Sequence, residues 1–465
     1  MNRIDCFAPP AGGARNDKKN RKVLIISYLF PPIGGGGVLR VTKFVKFLPF
    51  FGWKPYVLTV KKGFHKIKDE SLLDEIPQEA EIDRISYFEP AFLFHSRFWQ
   101  SLLAYVVYPF LLIPDRQILW FFPAVRAARK IIEKEKIKII FTTSAPVSDH
   151  LIGLVLKKIT GVKWVADFRD EWSNNPFKKY PTPIHRLFNQ FLEKIVVKNA
   201  DQIVAVSEPI TQYLKSLSDD KEKFTTITNG FDEEDFDIST KYKKGRFKIV
   251  HVGSLYNLKY QKSFVQAFDE LNLKNAHLIF VGAKKRLPHK QAVKKMFETD
   301  VLLLILDPIE RPAVLTGKLF EYLRARKPIL ALAPRSSAVS KMITKYQVGV
   351  VAEPNPDAFK KEVQKIYQKW LASRRSGQKN DLKIPNIYLE KFTRKNLTKN
   401  LAKIFDNFKK NQKIKLCLIG NIQATPNQSL CRYFLKKGYD IYFVTIKPGN
   451  IAGVKTYFLG KNSFT

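Results

Sequence analysis

Apolar residues in this chain gather into short, nearly unbroken runs that end at glycine or proline, and stretches with helical spacing separate them. A run that is apolar at successive positions, rather than at alternate ones, is what a strand covered on both faces requires. The first run, Val23 to Phe30, stops at Pro31-Pro32-Ile33 and the glycines Gly34, Gly35, Gly36 and Gly37, after which Val38 to Phe51 has helical spacing. Gly52-Trp53-Lys54-Pro55 closes that helix and Tyr56 to Val60 supplies the next strand, so the chain opens as a βαβ unit. The alternation continues through strands at Lys136–Thr142, Lys163–Asp167 and Gln202–Val206, with helices at Asp149–Thr160 and Pro183–Asn199.

A second βα series begins at Phe247–Gly253 and runs through His277–Gly282, Val301–Leu306, Pro328–Ala333 and Gly349–Glu353. The polar stretch Asp237–Arg246 between the two series has the composition of a linker. This pattern predicts an α/β protein of two doubly wound, Rossmann-like domains, over residues 21–238 and 246–386. A crossover helix over 387–410 is expected to pack back across both. Residues 1–20 lack an apolar core and read as a disordered leader. Residues 411–465 read as strand, helix and strand, the opening of a third such fold that stops early and is too short to bury a core of its own.

Length and charge sharpen the picture. At 465 residues the chain exceeds what one ordinary core serves, and its formal net charge of +38 creates a field that attracts anionic partners without choosing among them. A nucleic-acid function is not supported, because no recognition motif accompanies the charge. The three cysteines, Cys6, Cys417 and Cys431, have no metal-like or redox-like spacing, which fits a cytoplasmic protein. Between Pro90 and Ala128, aromatic residues such as Phe98, Trp99, Tyr108, Phe110, Trp120 and Phe122 interleave with Arg97, Arg116 and Arg126. The apolar part is shorter than the ~20 residues a membrane span needs, so two readings stand: a helix in the plane of an anionic membrane surface, or a buried helix pair.

The strongest chemical signal is Thr316-Gly317-Lys318-Leu319-Phe320-Glu321, which places a Gly-Lys pair and a glutamate at the start of an apolar helix. A helix N-terminus presents unpaired N–H groups and the positive end of its dipole, which suit a diphosphate, and a carboxylate one turn on can accept hydrogen bonds from ribose hydroxyls. Taken alone, the same pattern also describes a surface αβ unit with a solvated Glu321.

Ordered segments along the chain together resemble a glycosyltransferase of the GT-B fold, in the retaining group called family 4. They are Phe30–Gly37; Leu112–Asp115 with Thr143–Ser148 and Trp164–Trp172; Asn229-Gly230-Phe231-Asp232 with Phe236; and Val252-Gly253-Ser254-Leu255 with Lys259, followed by the Gly317–Glu321 segment. The resemblance covers residues 22–408. It implies that a nucleotide-sugar donor binds the second domain and an acceptor the first, with transfer in the cleft between them and no metal or other cofactor required. It further implies that Lys259 contacts the diphosphate, with Lys318 adding charge, and that Glu321 holds the ribose. The backbone of Gly34, Gly35, Gly36 and Gly37 then approaches phosphate or acceptor, where a Cβ would block contact. Asp170 is the candidate group near the reacting centre, and Asp167-Phe168-Arg169-Asp170 otherwise reads as an internal ion pair. Ser254 and Ala313 depart from the family pattern, and His150 falls on the helix after the cleft segment rather than in it.

The implied reaction is transfer of a sugar, with retention, to a cell-surface polysaccharide, lipopolysaccharide or lipid-linked acceptor at the cytoplasmic face of an anionic membrane. A sugar-nucleotide epimerase of the same fold, or a truncated non-catalytic relative, is the alternative.

Overall fold

The computed structural model describes residues 21–61, 67–90, 96–102, 106–175, 178–237, 245–253, 258–282, 287, 289–306, 315–376, 386–410, 415–421, 423–436, 440–445 and 450–458. The leader over residues 1–20, Ser254 and Ala313 lie outside them, as do Phe92, Phe94, Tyr105 and the side chains of Arg97, Trp99 and Lys259.

The strands β1 (Lys22–Ile26), β2 (Lys54–Val60), β3 (Glu81–Ile85), β4 (Ile139–Ser144), β5 (Lys163–Phe168), β6 (Gln202–Ala205) and β7 (Phe224–Thr226) form a seven-stranded sheet in the order β3-β2-β1-β4-β5-β6-β7. Each neighbouring pair is parallel. Helices α1 (Gly36–Phe47), α2 (Arg97–Leu102), α3 (Tyr108–Leu111), α4 (Phe121–Glu135), α5 (Ser148–Thr160), α6 (Pro183–Asn199) and α7 (Glu208–Ser216) fall between them. Val23–Ile26 are wholly buried because helices cover both sheet faces, which is why this strand is apolar at every position. The apolar pattern misses β3, whose Glu-Ile-Asp-Arg-Ile sequence suits a half-exposed edge, and β7, which is three residues long.

The strands β8 (Phe247–Val252), β9 (Ala276–Val281), β10 (Val301–Ile305), β11 (Ile329–Leu332) and β12 (Gly349–Ala352) form a second parallel sheet, in the order β12-β11-β10-β8-β9. Its helices are α8 (Leu258–Asp269), α9 (His289–Phe297), α10 (Gly317–Ala325), α11 (Ala338–Tyr346) and α12 (Pro356–Ser376). Leu302 and Leu304 of β10 enter one core with α10 and α11, while Val301 and Leu303 enter another with α8 and α12. Alternate side chains thus feed opposite layers, as a doubly wound sheet requires.

The expected crossover helix is broken into α13 (Asn386–Glu390) and α14 (Arg394–Lys410). At the break, Phe231 N–H donates to the Phe392 carbonyl at 3.1 Å and Arg394 N–H donates to the Phe231 carbonyl at 2.7 Å. A Cβ on Gly230 would lie 2.1 Å from the Phe392 oxygen, so the Asn229-Gly230 pair permits this backbone contact. Phe392 packs on Phe320 and Tyr346 of the second series, and the Lys395 ammonium lies over the Phe50 ring of the first.

Residues Lys403–Thr465 form a separate compact unit, in which β13 (Lys415–Ile419), β14 (Asp440–Thr445) and β15 (Val454–Phe458) make a parallel three-stranded sheet with α15 (Thr425–Lys436). It does bury a small core, made of Cys431, Ile441, Phe443, Ile451 and Val454, because parallel pairing lets one helix cover one face of the sheet.

Two ionic assemblies on α1 join the first sheet to the segment that leads to the second. Arg40, 1% exposed, donates to Asp167 at the end of β5, with Nη2 to Oδ1 at 2.7 Å and Nε to Oδ2 at 3.1 Å, and to the Ile227 and Thr228 carbonyls, each at 2.8 Å. One turn on, Lys43 Nζ meets Asp232 at 2.6 Å, Glu75 at 3.0 Å and Asp235 at 3.2 Å. These three carboxylates resemble a divalent-ion cage, but the Lys43 ammonium supplies the positive charge at their centre. His289, the first residue of α9, reaches Asp235 with Nε2 at 3.3 Å and Glu321 at 3.7 Å. Burial alone would push the imidazolium down, but the Glu321 charge and the hydrogen bond to Asp235 outweigh it and lift the pKa to about 9. Asp235 is held at about 2, because the His289 hydrogen bond and the Lys43 charge overcome its own burial.

Two outcomes are expected. Arg40→Met strands Asp167 and two carbonyls and should cost about 3–5 kcal/mol of unfolding free energy in urea titrations, with much of it recovered in Arg40→Met/Asp167→Leu. A single variant as stable as wild type would contradict this role. His289 binds its proton more tightly in the folded chain than an ordinary histidine, whose pKa is 6.5, so its stabilisation is complete below 6.5 and lost as pH rises through about 9. The melting-temperature gap between wild type and His289→Gln should therefore shrink across that window, whereas a constant gap would mean a neutral imidazole.

Candidate donor and acceptor site

In open parallel sheets, ligands bind outside the carboxyl ends of the strands where the strand order reverses. Here those points lie between β1 and β4 in the first sheet and between β8 and β10 in the second. The sequence-predicted glycines sit at one of them and Gly253 with α10 at the other.

The first-sheet loop divides its glycines between packing and exposure. Gly34 is packed, since a Cβ there would lie 3.0 Å from Ile67 and from Asp69. Gly35 precedes α1 with φ 124°, a conformation that a side chain would strain. Gly37 is backed by Arg169, whose Nη1 would lie 3.1 Å from an added Cβ. Gly36 is exposed, as is Gly37, and nothing lies within 4 Å of its Cβ position, which leaves it open to a ligand.

Arg169, nearly buried, donates through its guanidinium to the carbonyls of Gly37, Ser144 and Ala145, tying the glycine turn to the end of β4. Within the Asp167-Phe168-Arg169-Asp170 cluster, Asp167 pairs with Arg40 and accepts from Thr143 Oγ1 at 2.7 Å, while Arg169 donates to carbonyls. Asp170 follows β5, half-buried, at the carboxyl edge of the sheet. Asp115 accepts from the amides of Val147 and Ser148 at 2.8 and 3.0 Å and so fixes the turn between β4 and α5. His150 is not a cleft group. It is fully buried on α5, bonded through Nδ1 to Thr142 at 2.8 Å and packed on Phe168, and burial pushes its pKa down to about 3.

The second sheet builds a cradle from backbone and one cation. Gly253 ends β8 with φ 114°, and a Cβ there would lie 2.4 Å from Lys318 Cε and 2.8 Å from its Nζ. The positive φ favours glycine here, and the end of the Lys318 side chain passes through the space a Cβ would take. The Lys318 ammonium lies 3.4 Å from His251 Nε2, and His251 is fixed through Nδ1 by the Leu303 carbonyl at 2.9 Å. Gly282, at the end of β9, packs against Gly253. Thr316, the N-cap of α10, makes no side-chain capping bond, and its buried Oγ1 has no hydrogen-bond partner among the described residues. Gly317 opens α10 with nothing within 4 Å of its Cβ position. Polar and cationic groups thus converge at a helix N-terminus, an arrangement suited to phosphate oxygens.

Glu321, one turn further on, does not stand alone as the sequence suggests. It lines a narrow cavity with Leu39, Lys43, Asp232, His289 and Arg394, which joins the α1 side to the α10 side. Burial raises its pKa, and the His289 charge opposes that rise. Arg394 is buried, and its Nη1 is unbonded among the described residues. The sequence reading misses His289, Asp235 and Arg394 as neighbours of Glu321. Asp235 falls inside the Asn229–Phe236 signature, but the other two come from segments that carry no motif.

Residues 72–235 match the family model Glycosyltransferase Family 4. Among solved structures, the chain is similar to a sucrose-phosphate synthase from Thermosynechococcus elongatus, with TM-score 0.58 and 12% identity over 84% of this chain and 99% of that one. It is also similar to a putative UDP-N-acetylglucosamine 2-epimerase from Listeria monocytogenes, with TM-score 0.51 and 10% identity over 84% and 98% of the two chains. For Anabaena HepE, solved in complex with UDP-glucose, the TM-score is 0.56 at 14% identity over 83% and 99%. No curated protein matches the sequence. At these identities the structural likeness is one of fold, and the family match lies in the first sheet and its loops. The chain has the GT-B fold, and its residues 72–235 match glycosyltransferase family 4.

Proposed function

We propose that this protein transfers a sugar, with retention of configuration, from a nucleoside-diphosphate sugar to a glycan or lipid-linked acceptor of the cell surface. The observation that carries the reading is the convergence of Gly253, Lys318 and the open N-terminus of α10 at the switch point of the second sheet. Bond cleavage leaves growing negative charge on the diphosphate, and Lys318 with the first N–H groups of α10 are already aimed to receive it, which lowers the barrier without reorganisation. Thr316 Oγ1 adds a hydroxyl donor to the same oxygens, and Lys259, whose backbone lies in the first turn of α8, is assigned a second cationic contact.

Glu321 is assigned the ribose, with His289 3.7 Å from its carboxylate and the Arg394 charge acting on it from nearby. On the acceptor side, the backbone of Gly35 and Gly36 lines the approach, and Asp170 is assigned a place beside the reacting centre. Arg169 acts indirectly, by holding the glycine turn against β4. The metal-independence of the reaction follows in this reading from the cations that already serve the leaving group. A protein at the inner membrane face is consistent with the charge of +38 and with the finding that, among the described residues, no helix is long and apolar enough to cross a membrane.

The epimerase reading is weighed by one of the structural likenesses and opposed by the family 4 match over residues 72–235. Under the transferase reading, loss of the nucleoside diphosphate depends on an added membrane or glycan acceptor. A rearranged nucleotide-sugar formed with no acceptor would instead favour epimerisation.

A panel of UDP-, GDP-, ADP- and dTDP-sugars in thermal-shift assays should contain at least one stabilising member, since a ligand at about a hundredfold excess over Kd contributes about 2.7 kcal/mol. No response to any member would overturn the reading. Glu321→Ala should abolish the shift, and Gly253→Ala should weaken it about tenfold or more in Kd by displacing Lys318 while leaving the fold cooperative. Wild-type affinity in Gly253→Ala would remove Lys318 from the site.

A further inference from the structure

Helix α6 is amphipathic in an unusual sense, because it is apolar on two opposite faces. One face is buried against the sheet through Val196 and Val197, with Asn189 and Glu193 tied into hydrogen bonds beside them. The other carries Ile184, Leu187, Phe188 and Phe191, spaced i, i+3, i+4 and i+7 and exposed by 75, 64, 46 and 56%. Helix α3 ends against it, with the Phe110 carbonyl 3.0 Å from His185 Nε2, and adds Phe110 and Leu111 at 54 and 72% exposure. Exposed apolar residues scattered singly need no explanation, but six grouped on two touching helices do.

On α6 and α3 the exposed charges are all cationic. Arg186, Lys194 and Lys198 of α6 are exposed, as is Lys179 before it. The one acidic residue of α6, Glu193, is buried and accepts from Ser173 and Tyr213, and α3 has none. An apolar stripe flanked by cations, with no exposed carboxylate on either helix, matches an anionic lipid surface, where rings and aliphatic chains enter the headgroup boundary and lysines pair with phosphates. A protein partner of ordinary mixed charge would leave those cations unmatched.

We propose that the exposed face of α6, together with the end of α3, seats this protein on an anionic bilayer. This rests on the reading of the chain as a transferase to a lipid-linked acceptor, and it names the surface that brings it there. The helix crosses back from β5 to β6, so its N-terminal half, which holds Ile184, Leu187 and Phe188, lies at the carboxyl edge of the sheet, the same edge as Asp170 and the glycine turn. A bilayer on this face therefore lies beside the acceptor side of the site. The aromatic stretch of residues 90–128 divides accordingly: Phe110 and Leu111 belong to this surface, while Tyr108 and Trp120 are buried.

The test is flotation of the full chain with vesicles of phosphatidylcholine alone or mixed with phosphatidylglycerol. Wild type should float with the mixed vesicles and not with the neutral ones, and Leu187→Glu/Phe191→Glu should reduce its bound fraction about tenfold. The variant should keep the wild-type nucleotide thermal shift, which shows that it is folded. No flotation of wild type on mixed vesicles, or equal flotation of the variant, overturns the proposal. So does a vesicle-independent dimer that the same substitutions dissociate, which would assign the face to a second copy. If wild type floats as expected but no nucleotide stabilises it, the docking surface stands and the donor-site reading falls.

Discussion

Arg40 is the residue on which the geometry of this molecule turns. Its guanidinium is buried between the end of β5 and the carbonyls of Ile227 and Thr228, so a single side chain links α1, the helix after the glycine turn, to the strand that delivers Asp170 and to the start of the segment leading to the second sheet. A buried guanidinium is tolerated only when its donors are matched, and Asp167 with two carbonyls matches them. Lys43, one turn along the same helix face, repeats the device with Asp232 and Asp235. The two sheets are thereby held by charge and hydrogen-bond geometry, which have directions, and not by apolar contact alone.

The same economy explains the donor side. Asp235 belongs to the connecting segment, yet through His289 it also faces Glu321 of α10, the residue assigned to the ribose. A protonated His289 between Asp235 and Glu321 keeps Asp235 ionised and opposes the rise that burial imposes on Glu321. The phosphate end relies on different means: a glycine that lets Lys318 pass, and a helix whose N-cap hydroxyl is unspent. Charge is concentrated where the two sheets meet, while backbone donors are left open where a ligand has to arrive.

Much of the fold is legible in the sequence because burial on both faces writes itself as unbroken apolar runs; Val23–Ile26 and Val301–Leu304 are such runs. Edge strands such as Glu81–Ile85 escape, since half-exposed positions take charged residues. The break between α13 and α14 escapes for another reason: it is imposed by pairing with Phe231, a residue distant in sequence. At the site, the glycines and the Gly317–Glu321 segment are visible as motifs. Which of them are packed is not: Gly34 and Gly37 look like Gly36 in sequence, and only tertiary neighbours, Ile67 and Arg169, distinguish them. His289 and Arg394 belong to no motif because their role is to meet a carboxylate brought from elsewhere.

Donor binding at the second sheet can be measured by amide hydrogen exchange with and without saturating UDP, GDP, ADP or dTDP. At least one nucleotide should slow exchange in the peptides that contain Gly253 and Gly317–Glu321, at the carboxyl edge of the second sheet. Unchanged exchange in both peptides with all four nucleotides, or protection found only around the first-sheet glycine turn, would contradict it.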